Sequence, residues 1–171
     1  MEISVGPAQL KDAPGIAKVH VETWQSAYKG LMPDDYLASL SIEQKTERWK
    51  GILSKPEDNA DTLVAQADGK IVGFCSVSHC RDEDMSSEIG ELWSIYVDKD
   101  FSGQGVGSIL LDKGLDILRE QGYKKATLWV LTTNTKTIKW YESKGWKPEG
   151  KTKMEENNGV ELQEDRYIID L

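Results

Sequence analysis

The segment Phe101-Ser102-Gly103-Gln104-Gly105-Val106-Gly107-Ser108 gathers residue types that suit one task, the holding of a phosphate. Three glycines at alternate positions let successive amides turn inward with no Cβ in the way. The apolar periodicity that starts at Val106 predicts a helix whose positive end faces the same place. Amides and helix end together form an anion nest suited to phosphate or pyrophosphate; the alternative is a plain strand-to-helix connector. Glu91 is a second candidate, a carboxylate set among the apolar residues of Glu88–Val97. Strict alternation groups Glu91 with Ile89, Trp93, Ile95 and Val97. Either it points to a pocket on an otherwise apolar face, or a bulge shifts the register between Glu91 and Val97. Partial burial would raise its pKa toward that of a useful base; an edge position or an ion pair would make it structural. Trp24, Tyr28, Met32 and Tyr36 offer aromatic and apolar surface, and Asp34, Asp35, Asp82, Glu83 and Asp84 offer charge, a combination that holds ammonium or guanidinium groups. Helix-spaced aromatics also build cores, and Trp49, Trp93, Trp129 and Trp140 are read that way.

Two familiar phosphate loops are excluded. No Lys-Ser or Lys-Thr follows the glycines, so this is not a P-loop. The alternate spacing fails the dinucleotide pattern, and a hairpin precedes it where a βαβ unit should begin. Cys75, His79 and Cys80 lack the ligand number and spacing of a metal site, and no metal is expected. Two cysteines make no disulfide framework. His20, between Val19 and Val21, reads as a packed or surface histidine.

The elements that position these residues follow from periodicity. EISVGPA predicts a short strand ending at Gly6-Pro7. Helices are expected from Asp12 to Tyr28, from Pro33 to Leu40, and from the capping box Ser41-Ile42-Glu43-Gln44 to Ser54. A polar gap at Lys55–Asp61 precedes strands at Thr62–Ala67 and Lys70–His79, joined by the hairpin turn Asp68-Gly69. A charged loop, Arg81–Ser87, leads to a strand at Glu88–Val97. Then come a helix at Val106–Gln121, a strand at Ala126–Thr132, a helix at Thr135–Lys144 and a strand at Val160–Leu171. This order predicts an α+β fold with a mixed, mostly antiparallel sheet flanked by helices on both faces.

The chain has 171 residues, 39% hydrophobic and 29% charged, which suits one globular domain over 1–171. Its net charge of −8 argues against nucleic acid as a partner. No apolar run suits a membrane span and no signal peptide is visible, so a cytoplasmic location is expected. Unpaired sheet edges leave room for a homodimer.

The stretch from Glu88 to Trp146 resembles the core of the GNAT superfamily of acyl-CoA-dependent N-acetyltransferases. The signature loop [RQ]-x-x-G-x-[GA] falls on Ser102 to Gly107. Gly105 and Gly107 match it, while Ser102 replaces the Arg or Gln and Lys99 stands where proline is frequent. Asn134 and Tyr141-Glu142-Ser143-Lys144-Gly145-Trp146 follow at the family's distance. The resemblance implies that Ile95, Tyr96 and Val97 line the pantetheine and thioester, and that amides from Ser102 through Gly103, Gln104, Gly105, Val106 and Gly107 to Ser108 cradle the pyrophosphate. It implies that Asn134 and Thr137 hold the cofactor beyond a splay between two parallel strands, with Tyr141 near the sulfur. The implied co-substrate is acetyl-CoA.

Acetyl transfer to an amine needs a neutral amine, an oxyanion stabiliser and a proton for the leaving thiolate. An alkylammonium has a pKa of about 10.4, so a base must take its proton. Glu91 is the expected base, Tyr141 the expected acid, the Val97 N–H a candidate oxyanion donor, and Trp24 and Tyr28 the expected substrate wall. No cysteine or serine has an evident nucleophile setting, so direct attack in a ternary complex is expected. The acceptor would be a primary amine of a small molecule, polyamine, amino acid or protein. The alternative is a non-catalytic acyl-CoA sensor that has kept the nest.

Overall fold

The computed structural model of the chain describes residues 2–55, 60–157 and 159–171. Residues 56–59 of the expected polar gap lie outside the described residues. The strands are β1 (Ile3–Pro7), β2 (Asp61–Ala67), β3 (Lys70–His79), β4 (Ile89–Val97), β5 (Lys125–Leu131), β6 (Lys147–Asn157) and β7 (Val160–Asp170), and the helices are α1 (Ala13–Ala27), α2 (Asp34–Ser39), α3 (Ile42–Ser54), α4 (Val106–Glu120) and α5 (Thr135–Ser143). The strands form one sheet in the order β1-β2-β3-β4-β5-β7-β6.

Local chemistry sets most of these boundaries. The Ser41 hydroxyl accepts from the Gln44 amide at 3.2 Å and starts α3. Asp68 and Gly69 both have positive φ, 50° and 78°, as the tight β2–β3 hairpin requires. One core layer joins Val106, Leu110, Leu111, Leu115 and Leu118 of α4, with Tyr141 of α5, to Val72, Cys75, Leu92 and Leu128 of the sheet. The opposite layer joins Ile16, Ala17 and Val19 of α1, with Trp49 of α3, to Val64 and Phe74. The sheet is therefore covered on both faces, as expected for this α+β class.

Two features of the sheet affect the site: a strand that was not expected and, of the two alternatives left open for Glu91, the bulge. Lys147–Asn157 is a strand that the sequence does not announce, because β6 pairs on one side only, with β7, and its residues are largely exposed and charged. As a result β7 lies inside the sheet between β5 and β6, and the free edges are β1 and β6; the final strand offers no edge to a second subunit. The second feature lies in β4. Ser94 pairs with Ser76 and Leu92 with Val77, so Trp93 is an extra, bulged residue. The bulge breaks strict alternation, and Glu91 does not share a face with Ile95 and Val97. Leu92, Ile95 and Val97 face α4, whereas Tyr96 packs toward α1. Glu91, paired with Ser78, lies on the Phe74 and Tyr96 side.

Neighbouring strands are antiparallel except for β4 and β5, which run parallel and pair only through Ile89–Lys125, Gly90–Ala126 and Glu91–Thr127. Beyond these pairs the strands separate. β4 stays with β3 as far as Gly73–Val97, and β5 stays with β7 as far as Leu131–Glu164. The result is a wedge-shaped opening between two strands that each remain firmly held on the outer side.

Close approach of α1 to β3 is read at Gly15, where an added Cβ would sit 2.5 Å from Ile71 Cγ1 and 2.8 Å from its Cβ. A Gly→Ala change inside a helix ordinarily gains about 1 kcal/mol. Overpacking costs about 1–3 kcal/mol, so at this position the sign should reverse. Gly15→Ala is expected to lower the urea midpoint; a raised midpoint would show that α1 stands off the sheet.

Candidate active site

The wedge between β4 and β5 leaves backbone groups without ladder partners. The Asp98 N–H donates to Val72 O at 2.8 Å, toward β3. Direction alternates along a strand, so the N–H and C=O groups of Ile95 and Val97 point the other way, into the wedge. Tyr96 lies between them with its ring on the α1 side. Across the gap Thr132 Oγ1, just past the end of β5, is buried and has no partner among the described residues. These are groups that an extended, amide-containing chain can satisfy.

The wide end of the wedge leads to the glycine loop. Asp98 Oδ1 accepts from the Asp100 amide at 2.9 Å, which turns the chain out of β4. Gln104 Nε2 donates to Asp100 O at 3.0 Å and braces the loop from inside. Gly105 is the N-cap residue of α4 with φ 85°, a left-handed conformation that favours glycine. The first helical bond runs from the Ile109 N–H to Gly105 O at 3.1 Å, so the amides of Val106, Gly107 and Ser108 precede it and stay free for an anion. Of the amides expected to form a nest over Ser102–Ser108, that of Ser102 already donates to Lys99 O at 3.3 Å, and the free run lies at the start of α4. Asn134 and Thr137 also come together: Asn134 Oδ1 accepts from the Thr137 N–H at 3.4 Å and caps α5, the helix that carries Tyr141.

Tyr141 is buried to 6% exposure, with ring centroids 5.1 Å from Trp140 and 5.9 Å from Trp146. Among the described residues its hydroxyl has no partner. Burial, followed by Cys75 and Tyr96, raises its pKa above the ordinary phenol value, so the proton stays on oxygen. Burial also pushes the neighbouring Cys75 thiol up to about 12. Such a thiol is not ionised near neutrality and makes a poor nucleophile.

Glu91 is 2% exposed and is not a bare carboxylate. Oε1 accepts from the Arg81 amide at 3.0 Å and Oε2 from Arg81 Nη2 at 2.9 Å. The Arg81 guanidinium lies 4.2 Å over Trp93, the bulged residue. Glu91 therefore ties the charged loop after β3 to the bulge of β4. Cys80, Asp82 and Glu91 converge closely enough to suggest a metal, yet each is already engaged. Cys80 Sγ contacts Thr127 Oγ1 at 3.3 Å, and Asp82 accepts from Trp129 and Arg166. Arg166 is itself 1% exposed and is held by Asp84 at 2.7 and 2.8 Å, Asp82 at 3.1 Å and Glu149 at 2.8 Å. Trp93 and Trp129 are thus platforms for arginines rather than the core residues expected, whereas Trp49 is core at 5% exposure.

On the same face α1 brings aromatic groups to the wedge. Trp24 Nε1–H donates to Tyr96 Oη at 3.2 Å, and the rings of Trp24 and Tyr28 are 4.6 Å apart. The Tyr28 pKa is raised by burial, then by Tyr96, Glu164 and Glu155, and Glu164 itself pairs with Leu131 at the end of β5. Glu164 is the residue the sequence reading missed. Burial and the adjacent Glu155 carboxylate raise its pKa to about 7, against a smaller lowering by Lys153. No signal in the polar run Glu161–Asp165 marks it, because its surroundings are created by strands that are distant in sequence, with Leu131 of β5 on one side and Lys153 of β6 on the other. His20, too, is more than packing: its Nδ1 accepts from Trp49 Nε1–H at 3.2 Å, and its ring stacks on Tyr96 at 5.4 Å. Burial, then Lys45 and Arg48, lowers its pKa to about 4, so it is neutral with its proton on Nε2.

A parallel pair that opens after three rungs, a glycine nest at its mouth and a tyrosine behind it are found together in a class of acyltransferases. Residues 21–146 match the Acetyltransferase (GNAT) family, and the chain belongs to that family. An uncharacterised N-acetyltransferase of Bacillus subtilis strain 168, YuaI, is 34% identical over 95% of this chain and 90% of its own. Spermidine N(1)-acetyltransferase of Thermoplasma acidophilum is 23% identical over 87% of this chain and 91% of its own. Among solved structures, the PaiA N-acetyltransferase of Thermoplasma acidophilum in complex with coenzyme A superposes with a TM-score of 0.75 at 21% identity, covering 96% of this chain and 98% of that one. The chain is an acetyl-CoA-dependent N-acetyltransferase. Among the described residues no helix is long and apolar enough to cross a membrane.

At Gly105 an added Cβ meets nothing within 4 Å, so substitution strains only the left-handed backbone, by about 1–2 kcal/mol. Gly105→Glu should therefore remain folded while its carboxylate repels the pyrophosphate. Calorimetric titration is expected to show acetyl-CoA affinity reduced by about tenfold or more. Unchanged affinity would remove the nest from the binding site.

Proposed function

We propose that the protein transfers an acetyl group from acetyl-CoA to a primary amine by direct attack, with Tyr141 as acid and Glu164 as base. The observation that carries this reading is the wedge itself. Its open backbone groups run from the glycine nest toward the bulge, and its two sides bear a protonated tyrosine and a carboxylate that titrates near neutrality. When bound, acetyl-CoA supplies an activated acyl carbon. The free amides of Val106, Gly107 and Ser108 neutralise the pyrophosphate, and the unpaired groups of Ile95 and Val97 pair with the pantetheine amides. Val97 lies next to the nest and Ile95 one pair deeper, so the Ile95 N–H is the better placed oxyanion donor.

The acceptor ammonium gives a proton to Glu164, and its nitrogen forms the new N–C bond. The C–S bond breaks, the leaving sulfur takes the Tyr141 proton, and the second proton that the nitrogen sheds as the amide forms passes to water, from which the phenolate is reprotonated. The buried phenol is a weak acid in absolute terms, but the same dry surroundings disfavour the thiolate. Glu91 is assigned a positioning role: a base must have a free oxygen, and both of its oxygens face Arg81. Cys75, held protonated, supports attack without an acyl-enzyme step. Trp24 and Tyr28 wall the acceptor on the α1 side.

Loss of a general acid costs about a hundredfold or more, so Tyr141→Phe should lower kcat by that order with little change in the KM for acetyl-CoA. A normal kcat in this variant would remove Tyr141 from the chemistry. The pH profile tests the base. With an alkylamine acceptor of pKa about 10.4, kcat/KM of the wild type should rise through about pH 7 as Glu164 ionises and then level off. Glu164→Gln can use only the neutral amine, so its kcat/KM should keep rising to pH 9 and beyond. Identical profiles would exclude Glu164.

A further inference from the structure

The acceptor face of the wedge is not uniformly acidic, although the chain as a whole carries −8. On one side of Tyr96 stand Trp24, which donates to its hydroxyl, and Tyr28, 4.6 Å from Trp24, and Glu164 sits on β7 opposite Leu131, where β5 ends at the opening. On the other side a cleft of about 560 Å³ opens between α3 and the sheet, and His20, Arg48, Arg81, Trp93 and Ser94 contribute to its lining. Ser94 follows the bulge, so the cleft reaches the stretch of β4 where the acyl group is expected. The acid contributing to this lining, Asp61, already accepts from Gln121 Nε2 at 2.7 Å.

Three of the four charged groups that line the cleft are cations, Arg48, Lys55 and Arg81, and its Thr62 and Ser76 hydroxyls bond to each other at 2.9 Å. Arg81 spends Nη2 on Glu91 and stacks on Trp93, and among the described residues nothing takes its Nε or Nη1. Arg48 is exposed and has no ion pair among the described residues. His20 is fixed by Trp49 as the tautomer that offers Nε2–H, and its neutral ring lies against Tyr96. Two guanidinium groups and an imidazole N–H at one end of a site suit a carboxylate, which arginine binds through paired N–H donors.

We propose that the acceptor is a zwitterionic amine, with the reacting nitrogen toward Glu164 and a carboxylate in the Arg48–Arg81 cleft. The stacked pair His20–Tyr96 lies between the two poles, with centroids 5.4 Å apart. The carboxylate must therefore be several bonds from the nitrogen, as in an ω-amino acid, an acidic amino acid or a short peptide. A polyamine would instead place a second cation against the two arginines. This inference rests on the N-acetyltransferase reading above and names its substrate class.

Three acceptors of matched chain length decide it: δ-aminovalerate, n-pentylamine and cadaverine, compared by release of the coenzyme thiol from the acetyl-CoA-loaded enzyme. The expected order of kcat/KM is carboxylate, neutral tail, cation, with about tenfold or more between first and last. Arg48→Met should cut the ratio of δ-aminovalerate to n-pentylamine by about tenfold, chiefly through KM, and Arg48→Lys should restore part of it. Arg48 is exposed, so loss of the fold does not confuse the result. Preference for cadaverine, or a ratio untouched by Arg48→Met, would overturn the substrate class while turnover with acetyl-CoA left the parent reading standing. If none of the three is turned over, calorimetric binding to the coenzyme A-loaded enzyme decides in the same way: tighter binding of δ-aminovalerate supports the proposal and tighter binding of cadaverine overturns it.

Discussion

The fold depends on a ladder that is allowed to fail in one place. β4 and β5 share three rungs and then part, which leaves peptide groups of β4 facing an opening with nothing in the protein to bind. Unpaired backbone groups away from water are costly, and a sheet interior is where such a cost is least tolerated. The separation holds because each strand stays paired on its other side up to the end of the opening, β4 with β3 beyond the bulge and β5 with β7. The opening is thus a strand-shaped space, and what fits it is a molecule that can imitate a strand.

Charge is sorted around that opening with more care than a net value suggests. Arg166 is almost wholly buried, and a lone buried guanidinium would cost several kcal/mol, about the worth of a marginal domain's stability. Carboxylates from the β3–β4 loop and from β6 surround it, and Trp129 lies beneath. The same loop carries Arg81 to Glu91 and Trp93. A loop that the sequence presents as a solvated run of acids is therefore fastened at both ends to the sheet, next to the bulge. Two of the acids that looked like a cation trap, Asp82 and Asp84, are spent on a cation of the protein itself.

Periodicity and glycine placement made much of this legible. The helix from Val106 and the Asp68-Gly69 turn follow from local rules, because the residues that define them are neighbours in the chain. The nest is legible for the same reason. What the sequence did not disclose depends on residues far apart. The sequence left Glu91 either on the face of Ile95 or displaced by a bulge, and the pairing with β3 chooses the bulge, at Trp93. β6 escaped notice because an outer strand with water on its flank needs little apolar patterning. Glu164 gains its unusual environment from burial and from Glu155 on the neighbouring strand. His20 looked idle until Trp49 and Tyr96 fixed its ring.

The insertion of β7 between β5 and β6 has a consequence for how the chain reaches this state. β5 and β6 are made first, yet neither touches the other, and each must wait for β7 to supply its partner. During synthesis the half of the sheet from β1 to β4 can close over α1 and α4 while the other half still lacks its middle strand. Folding of the second half is then gated by the arrival of residues 160–170 and by pairings of long sequence separation, which form slowly. The strand that carries Glu164 and Arg166 is then the last part of the sheet to be paired, so a nascent chain can complete its glycine loop and α4 before the opening between β4 and β5 has its outer support.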